Sequence, residues 1–494
     1  MKILFIFPNT ANRPLISMAT PILMGRAKNK GWEISYFDTS NYEKERDSVQ
    51  DKELTGEFLP RPNDVRNFIK PFDSIPLDLQ EKIDTLKPDI IAISAMTCDY
   101  EFLMKFWPGI NTQGSLRLIG GFHATVLPEE ILSTNLFDIV CMGRAEDTFE
   151  EILDACQSKK SFYEINGICF KDGSKTIITE KRYLLKHDEV WAVDPDYDLF
   201  DTPYFTFPFD GKNIKMCQVE SSRGCPYNCS YCGNAVMRNY YKGYGKFLIV
   251  RPFDSLFKLV KRMIKDFNIE IFSFTDECFM GRPTSWLEEF CARWKEIKRP
   301  FLIQTRPEFV TEETLKILIS SDAPFIQIGM GVESGSKRIL EEICDRHVKN
   351  EETIKAYDLM HKYPQFRSNA FFMLGFPTET REEIFETIRL CKRLKSKVNS
   401  IAIFQPFPGQ RLRDFCIQNK ILKVDDKMSS FTGESVLNQS HISSQEISNL
   451  RRCFLLYSKL PESYYGDIEK CEKDFENNKA LFKQLVDKRW ELES

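Results

Sequence analysis

The sequence predicts two successive α/β domains, an N-terminal doubly wound parallel sheet and a partial (β/α)6 barrel, followed by a helical C-terminal tail. Three observations predict it. Short β-branched runs alternate with helical patterns over the first 157 residues, a second and longer series of strand–helix alternations opens near residue 210, and a chain of 494 residues is too long for one hydrophobic core.

In chain order, KILFIFP, WEISYFD, DIIAISAM, LRLIGGF and FDIVCMG read as strands. Between most of them, SMATPILMGRAKNKG, LDLQEKIDTLK and PEEILSTN carry helical periodicity, an order that argues a parallel sheet. The stretch from about 42 to 78, rich in Lys, Arg, Asp and Pro, is an excursion with no place in that sheet. Residues 158–209 break the rhythm, with a hairpin at GICFKDGSKTIIT turning on Asp172-Gly173, then a Pro- and Asp-rich linker. From 210 to 420 six strands follow, from CQVESSRG through IEIFSFTDE, PFLIQTRP, FIQIGMGVES and RSNAFFMLGFP to SIAIFQPFPG. Five helices separate them, among them SLFKLVKRMIKDF and REEIFETIRLCKRL. Six units suit a partial barrel better than a closed one. Residues 421–494 are polar, then helical, with two amphipathic patterns at 445–490.

Composition narrows the function. Hydrophobic residues at 42% and charged residues at 28% describe an ordinary soluble protein, and a net charge of −4 gives no bulk case for nucleic acid. MKILFIFPNT is too short an apolar run for a signal sequence, and no later run reaches transmembrane length. The fifteen cysteines therefore read as reduced thiols in a cytoplasm.

Three of those thiols are close together. In SRGCPYNCSYCGN, Cys225, Cys229 and Cys232 stand at C-x3-C-x2-C on a Gly-Pro loop. Spacing alone allows a zinc site, with Cys217 as a fourth ligand although it lies inside a strand, or a [4Fe–4S] cluster with one iron left open. The loop resembles the signature of the radical S-adenosylmethionine (SAM) enzymes, C-x3-C-x-aromatic-C after the first strand of a partial barrel, with Tyr231 at the aromatic position. Further landmarks of that family recur at strand ends as FTDE, QTR, GVESGS, GFPTET and QPFPG. The resemblance implies that Cys225, Cys229 and Cys232 hold the cluster and that Tyr231, Asp276, Glu277, Gln304, Arg306, Glu333 and Ser334 line SAM. It places Asp276 and Glu277 near the SAM ammonium, and Glu333 and Ser334 near its carboxylate or ribose. Glu277 stands where close relatives carry Asp.

The first sheet resembles the cobalamin-binding domain that precedes many radical SAM barrels. IGGFHATVLPEEIL and DIVCMGRAEDTFEEIL match its GG-x-H-A and G-x-[AG]-E-x-T-F patterns, and ISAMT stands at its Ser-x-Leu. The resemblance implies cobalamin contacts at Asn9, Thr10, Ser94, Met96, Gly120, Gly121, Phe122, His123, Gly143, Arg144 and Glu146. Gly120 and Gly121 lack a Cβ and would let the cofactor's tail approach the backbone. Relatives that ligate cobalt through histidine carry D-x-H-x-x-G after the first strand; here the loop is PNTANRPL and no histidine precedes His123. The expected state is base-off cobalamin without a protein imidazole on cobalt.

The function implied is cobalamin-dependent radical SAM chemistry. Methylation of an unactivated carbon stands first, with one SAM methylating cobalamin and a second giving the 5′-deoxyadenosyl radical. The runner-up is a cyclisation or rearrangement with the same cofactors. A tRNA methylthiotransferase would carry cluster cysteines near the N-terminus and a basic terminal domain, whereas the first cysteine is Cys98 and residues 431–494 hold nine Lys/Arg against eleven Asp/Glu. A non-catalytic corrinoid sensor would have no need of the cysteine loop. Expected partners are a small-molecule or peptide substrate and an electron donor such as flavodoxin or ferredoxin. No residue is assigned to the substrate itself. The tail is expected to pack across the barrel mouth or against the cobalamin-binding domain and help close the site or, alternatively, only to shield barrel edges.

Overall fold

A computed structural model describes residues 1–11, 13–44, 48–57, 69–184, 187–428 and 430–493. The chain divides into two compact units, Met1–Asp47 with Asn63–Thr206 and Val236–Val260, and Ser48–Pro62 with Phe207–Ala235 and Lys261–Ser494. Part of the excursion expected at 42–78 lies outside the described residues.

The first unit is built on strands β1 (Lys2–Phe7), β2 (Glu33–Asp38), β3 (Ile90–Ser94), β4 (Leu116–Gly120), β5 (Ile139–Cys141), β6 (Ile168–Asp172) and β7 (Lys175–Ile178), in spatial order β2-β1-β3-β4-β5-β6-β7. The first five are parallel, and the β6–β7 hairpin adds to the same sheet antiparallel. Alternation along β1 explains why its interior is apolar throughout. Leu4 and Ile6 join a core with Ile75, Leu79 and Ile83 of the helix Ser74–Leu86, while Phe5 points to the other face and meets Phe149 of the helix Glu146–Ser158. Order reverses between β1 and β3, and at such a switch the strand C-termini leave a crevice. The loops after β1, β3 and β4 all end there.

The second unit carries β8 (Thr206–Phe209), β9 (Lys212–Val219), β10 (Ile271–Phe274), β11 (Phe301–Thr305), β12 (Ile326–Glu333), β13 (Phe366–Leu374) and β14 (Val398–Ile403). β9 to β14 neighbour one another in chain order, all parallel, and β8 lies outside β9, so the sheet ends at β8 and β14 as an open half-barrel. Asp210 and Gly211 both take positive φ, 49° and 71°, as a two-residue hairpin turn requires. The end of the expected linker is thus an edge hairpin. Some of the phenylalanines pack between sheet and helices: Phe274, Phe290 and Phe301 surround Trp294 with ring centroids 5.6, 5.2 and 5.1 Å away.

Three helices form the tail, Ser444–Lys459, Tyr465–Lys473 and Lys479–Glu493, one more than the sequence pattern shows. The first of them shields an edge. At the free edge β14, Ile401 N donates to Glu57 Oε2 (3.2 Å) and Ile401 O accepts from Arg451 Nε (3.0 Å), while Arg451 and Glu57 pair at 2.7 Å. An edge strand's unpaired polar groups are satisfied by a buried ion pair. The polar stretch before the tail, by contrast, runs along strand ends, where Ile403 N donates to Phe431 O (2.7 Å) and Thr378 N to Gln439 Oε1 (2.6 Å). Among the described residues, no helix is long and apolar enough to cross a membrane.

Candidate active site

The three cysteines follow β9 on one loop that leads into the helix Gly233–Tyr240. Cys229 is buried, Cys225 and Cys232 partly so. Burial pushes the Cys225 thiol up to about 12 and raises Cys232 as well. The loop is pinned at its centre: Ser230 N donates to Cys344 O (2.9 Å), and Leu412 N donates to Ser230 O (3.2 Å). Tyr231 packs on Phe376 of the GFPTET loop at 6.0 Å. Cys217 is apart from this group, buried within β9 opposite Phe272.

Among the described residues, no three Cys, His, Asp or Glu side chains are gathered at metal-ligand distance. The donor set nevertheless fits an iron–sulfur cluster better than zinc, since three thiols share one loop and cations face them. Arg306 Nη1 lies 3.9 Å from Cys229 Sγ in a buried contact, and its guanidinium stacks 3.6 Å above the Tyr227 ring. Arg346, also buried, donates to Gly331 O at 2.5 Å, and its charge acts on Cys229. A cluster held by thiolates carries net negative charge, which two guanidinium groups offset.

The acidic pair after β10 divides its labour. Asp276 is fully buried: its Oδ2 accepts from Ser221 N (3.0 Å), and its Oδ1 from Ser221 Oγ (2.7 Å), Ser222 Oγ (2.6 Å) and the Arg282 guanidinium. Arg282 is held in turn over the Trp286 ring at 3.9 Å. Both Asp276 oxygens are therefore committed to this chain. Glu277 keeps an unpartnered buried oxygen, Oε2, and burial raises its carboxyl above the ordinary range.

Glu333 closes β12 on a bulge with φ of 64°, a left-handed conformation uncommon outside glycine. Its carboxylate folds back so far that a Cβ on Gly331 would lie 2.2 Å from Oε1. Burial raises the Glu333 carboxyl, opposed by the Arg346 guanidinium and the Tyr231 hydroxyl. Ser334 bonds Thr387 Oγ1 (3.2 Å) and accepts from Ser336 N (3.1 Å), tying the strand end to the helix Arg381–Leu394. Gln304 presents an exposed side chain near the end of β11. Arg346 and Arg282 lie outside the sequence landmarks; nothing in DRHVKN or FMGRP sets them apart from surface cations.

In the first unit, Ser94 at the end of β3 stands opposite Gly120 at the end of β4. Asn9 braces its own loop, with Nδ2 donating to Arg13 O and Oδ1 accepting from Ala11 N, both at 2.9 Å. Thr10 lies by Asp99, whose carboxyl burial raises to about 6 and which accepts from Met96 N at 3.0 Å. Met96 itself is exposed. After Phe122, which opens a short helix, His123 is buried, stacked on Tyr100 at 4.3 Å and 3.2 Å from Thr97 Oγ1; burial lowers it to about 4 and its Nε2 has no partner. A strand-end crescent with one orphaned buried nitrogen fits a polar cofactor.

Two of the glycines expected at the cofactor pack against this unit's own atoms. A Cβ on Gly121 (φ +107°) would lie 2.5 Å from Ala95 O, and one on Gly143 (φ +76°) 2.0 Å from the Tyr241 hydroxyl oxygen. Arg144 N donates to that same hydroxyl, and its guanidinium lies over Phe247 at 5.0 Å. Glu146 is buried at the start of its helix. The Gly143–Glu146 corner is thus covered by this unit's own tyrosine and phenylalanine.

Comparison with known proteins agrees with this anatomy. Residues 64–153 match the B12 binding domain family and residues 219–391 the Radical SAM superfamily. An uncharacterized methyltransferase of Pyrococcus horikoshii is 26% identical over 83% of this chain and 86% of its own length. An anaerobic magnesium-protoporphyrin IX monomethyl ester cyclase of Cereibacter sphaeroides is 23% identical over 68% of this chain and 55% of its own. Among solved structures, TsrM of Kitasatospora setae, a radical SAM methyltransferase, aligns at TM-score 0.62 and 12% identity over 85% of this chain and 76% of that one. OxsB, a cobalamin-dependent SAM radical enzyme, aligns at 0.63 and 16% over 99% and 71%. At such identities the structures establish the shared fold, and the two family matches make the chain a member of the cobalamin-binding radical SAM enzymes.

Proposed function

We propose that the protein transfers a methyl group to an unactivated carbon. The observation that carries this reading is the relative named a methyltransferase, which matches along most of both chains rather than over the barrel alone. Bound to this chain, the cluster and SAM would supply the carbon-centred radical and cobalamin the methyl group.

The chain's own residues divide the remaining work. Cys225, Cys229 and Cys232 hold the iron. Glu277, with its free oxygen, receives the SAM ammonium, and Asp276 fixes the loop that presents it through Ser221, Ser222 and Arg282. Glu333 and Tyr231 line the SAM side of the cluster, with Gln304 exposed near the same strand ends. Ser94, Met96, Gly120 and His123 meet cobalamin at the strand-end crevice, and Thr10 acts there through Asp99. The reading carries with it a reducing compartment, in keeping with fifteen free cysteines, and a one-electron donor such as flavodoxin or ferredoxin.

A second reading, cyclisation, is favoured by the relatives named cyclases. SAM by-products separate the two. Anaerobic protein, reduced and supplied with methyl-deuterated SAM and an extract containing candidate substrates, should form S-adenosylhomocysteine and 5′-deoxyadenosine in equal amounts and deuterate a small molecule. Deoxyadenosine without S-adenosylhomocysteine would favour cyclisation and reject methyl transfer.

A further inference from the structure

Two guanidinium groups converge on Cys229. Arg306 reaches Cys229 Sγ at 3.9 Å from β11's end, and the charge of Arg346, on the segment after β12, acts on the same residue. Both are buried, with Arg306 7% and Arg346 6% exposed. Both are also fixed independently of any cluster. Glu308 accepts from Arg306 Nε at 2.5 Å while Tyr227 lies beneath the guanidinium plane; Gly331 O accepts from Arg346 while Glu333 balances its charge. A cation that is desolvated and prepositioned acts on a neighbouring thiolate far more strongly than one in water.

We infer that Arg306 and Arg346 are positioning residues that set the reduction potential of the cluster through Cys229, making it easier to reduce. The physical reason is direct. Reduction adds one electron to an already anionic centre, and hydrogen bonds and positive charge at a ligating sulfur stabilise the reduced form more than the oxidised one. The effect is directional, because it enters through one ligand of three. This inference rests on the reading of Cys225, Cys229 and Cys232 as cluster ligands.

The test is a potentiometric titration of the reconstituted full-length protein under anaerobic conditions, following the reduced cluster by paramagnetic resonance, with iron content measured in parallel. Arg306→Gln should retain iron and shift the one-electron equilibrium about tenfold towards the oxidised form, a midpoint about 59 mV more negative. Arg306→Lys, which keeps the charge and loses the planar fork, should fall between. An unshifted midpoint in an iron-replete Arg306→Gln protein overturns the inference while leaving the cluster assignment standing. Should Arg306→Gln take up no iron, Arg306→Lys decides in its place, an unshifted midpoint again overturning the inference. An unsubstituted protein that binds no iron overturns the cluster assignment, and this inference with it.

Discussion

Asp276 and Glu277 are adjacent acids in different surroundings, and substitution should separate them. Asp276→Asn removes one partner of a buried ion pair and weakens four donors at once, so it should cost about 3–5 kcal/mol in urea unfolding. Glu277→Gln leaves that network intact; it should preserve stability while raising the Kd for SAM about tenfold, roughly 1.4 kcal/mol. Equal SAM affinity in Glu277→Gln and unsubstituted protein would remove Glu277 from the site. At the loop, alanine at Cys225, Cys229 or Cys232 should each abolish cluster assembly, whereas Cys217→Ala, inside β9, should leave iron content unchanged. The sequence shows FTDE and the cysteine spacing plainly. It does not show which acid is spent on Ser221, Ser222 and Arg282, because that depends on contacts made across strand ends.

At the level of elements, the ends of β3 and β4 hold a buried histidine and a half-buried aspartate whose effects on stability oppose. His123 is lowered to about 4 from 6.5, so its contribution is complete above about pH 6.5 and is lost as pH falls toward 4. Asp99 is raised to about 6 from 3.8, so its contribution is complete at low pH and is lost as pH rises through 6. Each is worth on the order of 3 kcal/mol at most. Between pH 4 and 6.5 the two slopes largely cancel in the unsubstituted chain. In Asp99→Asn, stability of the cofactor-free protein should rise with pH across that window; in His123→Gln it should fall. Identical profiles in the two variants would show that neither group is as buried as the packing on Tyr100 and the Met96 amide implies. Strand identities here were legible because β-branched runs on a doubly covered sheet are unmistakable. The hairpin at Asp172-Gly173 was legible too, but the equivalent Asp210-Gly211 turn was hidden by the prolines that precede it, and the helix Tyr465–Lys473 by its polarity.

The whole chain interleaves its two units, and that is the feature local pattern could not carry. Glu57 comes from the excursion inside the first half, yet it pairs with Arg451, 394 residues later, to satisfy the edge of β14. Tyr241 comes after the cysteine loop, yet it fills the face of Gly143 in the first unit. A charge in a polar insertion and a tyrosine in a surface-like run gain meaning only from partners far away in sequence. Cutting the chain where composition suggests, between 209 and 210, would therefore injure both parts. Fragment 210–494 would leave Arg451 buried without its carboxylate and Ile401 N without an acceptor, the kind of unpaired buried charge that costs about 3–5 kcal/mol, on an exposed strand edge prone to pairing with other chains. Fragment 1–209 would lose Tyr241, which packs on Gly143 and whose hydroxyl accepts from Arg144 N. Each fragment expressed alone should aggregate or unfold well below the intact chain's melting temperature, and co-expression should recover soluble protein. Arg451→Met in the full chain isolates the edge, since it strands Glu57 while leaving both units whole; it should lower stability without changing iron content. Two independently soluble fragments, with cooperative unfolding transitions matching those of the intact protein, would show that the exchanged segments contribute little to either core.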